Sequence, residues 1–291
     1  ENHARVPRAE NRNPIGTERK SAATKPTAVE DPNYNQLGDL VHMDGITSPV
    51  EDESGNVGAI VFKDEATKTA FVYPYKLRIE VYEIIPKFAK HLRNTFGSKL
   101  KIIRTDQAPE FTGDEWVKMS DDEDFETQYS GAYEPAQNSE AERMNGVLQN
   151  MARAALMHSR QPARYWSWAM LHAAYTRNRI GHKRLGGRTP YQLLYGKIPD
   201  LSDHRVWGCN AWALIPSAKR KKWCARSIRG IFIGYSDDSK CSLVYCPKSR
   251  RVLESSQIIY DEYTNNSSSD VASGVTPQET PARSIGGELE E

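Results

Sequence analysis

Two short apolar runs that each lead to an aspartate, and one amphipathic helix pattern that carries a glutamate in its first turn, constrain this chain more than any other feature. Leu100–Ile103 reads as a strand, and Asp106 follows just past its end. Leu40-Val41-His42-Met43 reads as another strand and leads to Asp44. From Ser139 onward, Met144, Val147, Leu148, Met151, Ala155 and Leu156 fall on one helical stripe, with Glu142 in the first turn. A gap of 35 residues separates Asp106 from Glu142. Hard divalent cations take oxygen ligands, and a protein commonly offers each ion only one or two carboxylates. Two carboxylates at strand ends and one at a helix start therefore meet the requirement of a two-metal phosphoryl-transfer site. Each residue also has a plainer reading. Asp106 alone is an ordinary turn former, and Ser139-x-x-Glu142 is equally a capping box.

At these residues the chain resembles a known family, the integrase region of copia-type retrotransposon Pol polyproteins. The resemblance rests on HMDG around Asp44, RTDQAPEF around Asp106 and AQNSEAERMNG around Glu142, and it covers most of residues 37–262. It implies an α/β fold: an RNase H-like integrase catalytic core, with a mixed five-stranded sheet flanked by helices, then a small C-terminal Src-homology-like β-barrel. It further implies that Asp44, Asp106 and Glu142 are the catalytic metal ligands, holding two Mg²⁺ (or Mn²⁺) ions, with Asp44 bridging them. The implied reactions are DNA 3′-end processing and strand transfer, which make the chain a polynucleotidyl transferase acting on double-stranded DNA as a homo-oligomer. Glu140 lies two residues before Glu142 and points to another helix face, so it is the weaker ligand candidate. Glu110 reads as a residue that orients the loop.

Composition adds bounds. The chain has 291 residues, 38% of them hydrophobic, which is ample for a core plus an appendage. Mean hydropathy of −0.68 points to substantial polar tails. Net charge is only +1, so contacts to nucleic acid must come from local patches. The four cysteines (Cys209, Cys224, Cys241, Cys246) lack C-x-x-C spacing and read as reduced thiols of an intracellular protein. No run of ~18 apolar residues exists, so no membrane partner is expected. The chain starts at Glu1 without an apolar signal segment and reads as a fragment or processed product. The family places a His/Cys zinc module before its core; the lead-in here holds His3 and no cysteine, so no zinc site is expected within this fragment. The family further implies action in the nucleus, with a cytoplasmic particle as one route.

Four segments are expected: an extended, disordered lead-in over 1–36, the core over 37–200, the barrel over 201–262 and a disordered tail over 263–291. Within the core, Asp39–Ile46, Val57–Phe62 and Thr69–Tyr73 read as strands, with Lys63–Lys68 as a polar turn. Residues 79–96 have helical spacing, interrupted by Pro86 and stopped by Gly97. A short helix surrounds Trp116, and the acidic run Asp121–Asp124 reads as a solvated face. A further helix follows Pro162.

DNA contacts are expected from Gln137, Asn138 and Arg143 around the catalytic helix, and from Lys183 and Arg184 between core and barrel. Lys219, Arg220, Lys221 and Lys222, followed by Trp223 and Arg226, form a basic patch suited to phosphates, or a solvated turn. Two departures from the family pattern stand beside the carboxylates. Gln107-Ala108-Pro109 replaces the usual Asn-Gly, and Ser139-Glu140 replaces a glycine-containing loop. They keep open an alternative, a catalytically inert, decayed or domesticated integrase-like module that only binds DNA. An RNase H-type nuclease is a more distant reading, since it has no need of the barrel.

Overall fold

The computed structural model describes residues 34–130, 139–220, 222–236 and 241–263, with the side chains of Ser139 and Lys219 excepted. The expected lead-in and tail lie outside the described residues, apart from 34–36 and 263.

The first sheet is built from β1 (Val41–Thr47), β2 (Gly58–Asp64), β3 (Ala70–Tyr75), β4 (Ile102–Thr105) and β5 (Glu126–Tyr129). Their order is β3-β2-β1-β4-β5; β1–β3 form an antiparallel meander, while β4 and β5 run parallel to β1. Parallel neighbours need crossovers. α1 (Val81–Phe96) joins β3 to β4, and α2 (Asp114–Glu123) joins β4 to β5. Every residue of β2 is buried, which explains why it reads as an unbroken apolar run rather than an alternation. β3 lies at the sheet edge, and only there is Pro74 tolerated inside a strand.

α1 buries the apolar positions legible in its spacing: Val81, Ile84, Ile85, Phe88, Ala89 and Leu92. Gly97 ends it at φ 64°, a left-handed conformation that glycine adopts without penalty. Pro86 falls in the second turn and is absorbed within one continuous helix. α1 and α2 cover one face of the sheet, where Phe62, Phe88 and Trp116 are almost fully buried. α3 (Ser139–Ser159) and α4 (Trp166–Arg177) cover the other, packing Met144, Leu148 and Met170 against Ala59, Val61 and Val72. A six-residue α5 (Pro190–Tyr195) opens on a complete Thr189/Gln192 capping box.

The second sheet is antiparallel: β6 (Asn210–Leu214), β7 (Ser227–Tyr235), β8 (Ser242–Cys246), β9 (Arg251–Ser255) and β10 (Ile258–Asp261), in the order β10-β6-β7-β8-β9. β6 also approaches β9 across a small core of Cys209, Ala211, Phe232, Val244 and Cys246. Burial there pushes the Cys209 thiol up to about 12, so it behaves as a small apolar side chain. Ile231, Ile233 and Tyr245 of this sheet join the α3–α4 core.

One expectation changes, and one strand is new. Lys63–Lys68 is not simply a polar turn: Lys63 and Asp64 belong to β2 and are 4% and 0% exposed. They can be buried because their polar groups are met. Asp64 accepts from the Gly38 and Thr67 backbone N–H groups and the Thr67 hydroxyl, while Lys63 is paired with Glu140. β5 was not visible as an apolar pattern at all. The acidic run is largely solvated, with Glu123 meeting Arg93 and Asp124 meeting Lys99. No helix among the described residues is long and apolar enough to cross a membrane.

Candidate active site

β1 and β4 run side by side with Val41 opposite Ile103, and Asp44 and Asp106 each follow three residues further on, Asp44 within β1 and Asp106 just past β4. β1 is buried through Met43 and emerges at Asp44, which is half-buried. Asp106 lies just past β4 and is exposed; its Oδ1 accepts from the Ala108 backbone N–H at 3.3 Å, a local turn. Both aspartates line one cleft with Gly45, Tyr75, Arg78 and Glu110.

α3 carries Glu142, the third carboxylate of the expected set. Its apolar stripe docks on Ala59 and Val61, and Asn145 donates from Nδ2 to Asp44 Oδ2 at 2.7 Å. Glu142 lies one turn before Asn145, exposed in the first turn of the helix. Burial pushes the Asp44 carboxyl up to about 6, and the charges of Asp106 and Glu142 push the same way; the hydrogen bonds from Asn145 and the Gly45 backbone only partly offset them. Asp106 and Glu142 are thus each within electrostatic reach of Asp44, an arrangement that a bound cation relieves. Among the described residues, no three His, Cys, Asp or Glu side chains converge on a single ligating point.

The loop after Asp106 needs no glycine. Ala108 sits at φ −61°, ψ 145°, and Pro109 begins a 3-10 turn, Pro109–Phe111, so the replacement of Asn-Gly leaves no backbone strain. Glu110 behaves as an orienting residue: its carboxylate meets Arg78 at 3.0 Å, and its carbonyl accepts from the Tyr82 hydroxyl.

Glu140 is committed elsewhere. Its carboxylate receives Lys63, Arg143 at 2.8 Å and Arg184 at 3.0 Å. Burial favours its neutral form, but Lys63 and Arg184 outweigh that and hold it at about 2. Arg143 and Arg184 therefore meet on one acid, whereas Lys183 is exposed. In the β6–β7 connection Arg220 and Lys222 are exposed, and Arg220 donates to the Ile215 carbonyl at 2.6 Å. Trp223 is 95% exposed at φ 70°. Gln137, Asn138 and Lys221 lie outside the described residues, as do the side chains of Lys219 and Ser139, the cap partner of Glu142.

Two residues were missed from sequence. Asn145 was readable only as a polar position three residues after Glu142. Lys63 was hidden because a lysine after an apolar run looks like the start of a turn.

Residues 209–273 match the family described as Retroviral polymerase SH3-like domain. Over 81% of its length the chain is 29% identical to a retrovirus-related Pol polyprotein from transposon TNT 1-94 of Nicotiana tabacum. Over 77% it is 25% identical to one from transposon RE1 of Arabidopsis thaliana. The chain is similar to retrovirus-related Pol polyproteins of plant transposons. It spans 18% and 15% of the lengths of these two relatives. Among solved structures it is similar to a chain of a simian T-cell lymphotropic virus intasome in complex with the PP2A regulatory subunit B56 gamma (TM-score 0.46, 15% identity, 77% of this chain and 78% of that one). It is also similar to the HTLV-2 integrase catalytic core domain in complex with magnesium (TM-score 0.42, 18% identity, 54% of this chain and 97% of that one). The match to the SH3-like domain falls on the C-terminal antiparallel sheet, β6 to β10.

Proposed function

We propose that the chain is the integrase part of a retrotransposon Pol polyprotein, and that it trims DNA 3′ ends and joins them to target DNA. One observation carries this reading: Asp44 and Asp106, from adjacent parallel strands, line one cleft, while α3 is tethered through Asn145 to Asp44 and the charge of its Glu142 is felt at that carboxyl. Asp44, Asp106 and Glu142 would hold divalent cations, Mg²⁺ or Mn²⁺, whose contribution is Lewis-acid stabilisation of charge on phosphoryl oxygens. The chain's own part is to fix the carboxylates, to orient the phosphodiester through nearby cations such as Lys183, Arg143 and Arg184, and to leave room for a water or a DNA 3′-hydroxyl as nucleophile. The exposed basic residues of the β6–β7 connection suit phosphate contacts further along the duplex. Joining two DNA ends calls for a multimer, and the work would be done in the nucleus.

The test is strand transfer of a short duplex into plasmid with Mg²⁺ or Mn²⁺, run beside Glu142→Gln. Joined products are expected from the native chain, with a loss of about 100-fold or more in the variant. If neither protein joins or nicks DNA, yet both bind it with strong salt dependence, the chain is an inert DNA-binding module.

Protons and cations compete for Asp44, which fixes a pH dependence. Its folded carboxyl titrates near 6 rather than 3.8, so it is protonated over a range where an ordinary aspartate is not. Mn²⁺ affinity measured by calorimetry is expected to rise roughly tenfold per pH unit up to about 6 and then level off. An affinity flat from about pH 5 to about pH 7 would contradict this.

A further inference from the structure

We propose that Glu140 is a positioning residue that clamps the first turn of α3 to the sheet and so sets where Glu142 stands against Asp44. The proposal rests on the reading of Asp44, Asp106 and Glu142 as the site.

Both oxygens of Glu140 are used. Oε2 takes Lys63, and Oε1 takes Arg143 and Arg184. The Lys63 side chain is 5% exposed and that of Glu140 14%, so this pair is shielded from solvent; Arg184 is 24% exposed and belongs to a third element, the 3-10 turn Lys183–Leu185. Arg143 is 59% exposed, and its contact one turn along the helix is of the kind that contributes little. The clamp is therefore Lys63–Glu140–Arg184, which draws together strand, helix and turn.

Its register is what ties it to the site. Lys63 lies opposite His42 in the β1–β2 ladder, and Asp44 lies opposite Val61. Two residues along each strand return to the same face, so Lys63 and Asp44 look toward α3 from neighbouring strands. α3 thus meets the sheet through two polar tethers, Glu140 to Lys63 and Asn145 to Asp44, and Glu142 lies between them in sequence. First-turn amides have no intrahelical acceptor, so that turn is the part of a helix most ready to fray. Asn145 secures only the second turn. Without Glu140 the helix body keeps its apolar seat on Ala59 and Val61, but the turn bearing Glu142 keeps only the buried methyl of Ala141 and loses its polar anchor, and Lys63 is left buried beside fewer negative charges. A displacement of ~1 Å at a catalytic group is enough to cost ~100-fold in rate.

The experiment compares the full, cation-free chain with Glu140→Ala and with Glu140→Gln, which keeps an acceptor for Lys63. Backbone hydrogen exchange over 142–145 is expected to be at least about tenfold faster in Glu140→Ala, with Glu140→Gln between the two and the rest of α3 unchanged. Mn²⁺ affinity, titrated by calorimetry, is expected to fall roughly tenfold in Glu140→Ala and to recover in part in Glu140→Gln. Unchanged exchange overturns the clamp. Faster exchange with unchanged Mn²⁺ affinity overturns the positioning role and leaves Glu140 a fold residue. A native chain that binds no Mn²⁺ overturns the cation site itself, an outcome seen before any variant is made.

Discussion

Asp44→Asn is expected to lose Mg²⁺-dependent DNA cleavage and joining by about a thousandfold, since a neutral amide removes a hard anionic ligand whose contribution is worth several kcal/mol at the transition state. The same change is expected to stabilise the cation-free fold at neutral pH. Asp44 is half-buried, and its carboxylate is opposed by burial and by Asp106 and Glu142, so the native state favours the protonated acid. Stability therefore falls as pH rises from about 4 through about 6, where Asp44 ionises, and asparagine escapes that loss. Thermal melting without cations is expected to rise by roughly 2–4 °C for a gain near 1 kcal/mol. With saturating Mn²⁺ the order reverses, because only the native chain gains from binding. A variant that retains activity, or that melts lower than the native chain without cations, would count against the acid cluster.

Phe88→Ala is expected to have the largest effect on stability. Phe88 and Phe62 are both 0% exposed and stack with ring centroids 4.1 Å apart, and Phe71 closes on Phe88 edge-on at 5.3 Å. Removing the ring empties the contact between α1 and the sheet at its centre. Such truncations cost about 3–5 kcal/mol, a large share of the ~5–15 kcal/mol that holds a typical domain. Urea unfolding followed by fluorescence should show the midpoint falling with the slope kept. A loss under about 1 kcal/mol would mean that α1 packs less tightly than described.

The sheet face of α1 and the end of β4 were legible because period and position carry the same message there. Six apolar residues at helical spacing became six buried ones, and Asp106 follows directly after β4. Asp44 was expected at a strand end but lies at the middle of β1, where full burial stops while the pairing with β2 continues to Thr47. β5 was illegible for the opposite reason. Its residues, Glu126–Tyr129, carry no apolar run, and the strand exists through its pairing with β4. Lys63 and Asp64 deceived because charge usually marks a turn, and only a partner 77 residues away in sequence makes a buried lysine acceptable. The loop through Ala108-Pro109 runs without a positive φ, so replacing Asn-Gly there leaves no backbone strain. Asn145 shows where reading by residue type stops: its function lies in one hydrogen bond across 101 positions of chain.

The most direct test is diffraction from crystals of the full chain soaked in Mn²⁺, with anomalous data collected. Anomalous density is expected in the cleft between Asp44, Asp106 and Glu142, with all three carboxylates turned inward and Asn145 still bonded to Asp44. Full Mn²⁺ occupancy elsewhere, with this cleft empty and Glu142 still facing solvent, would contradict the account.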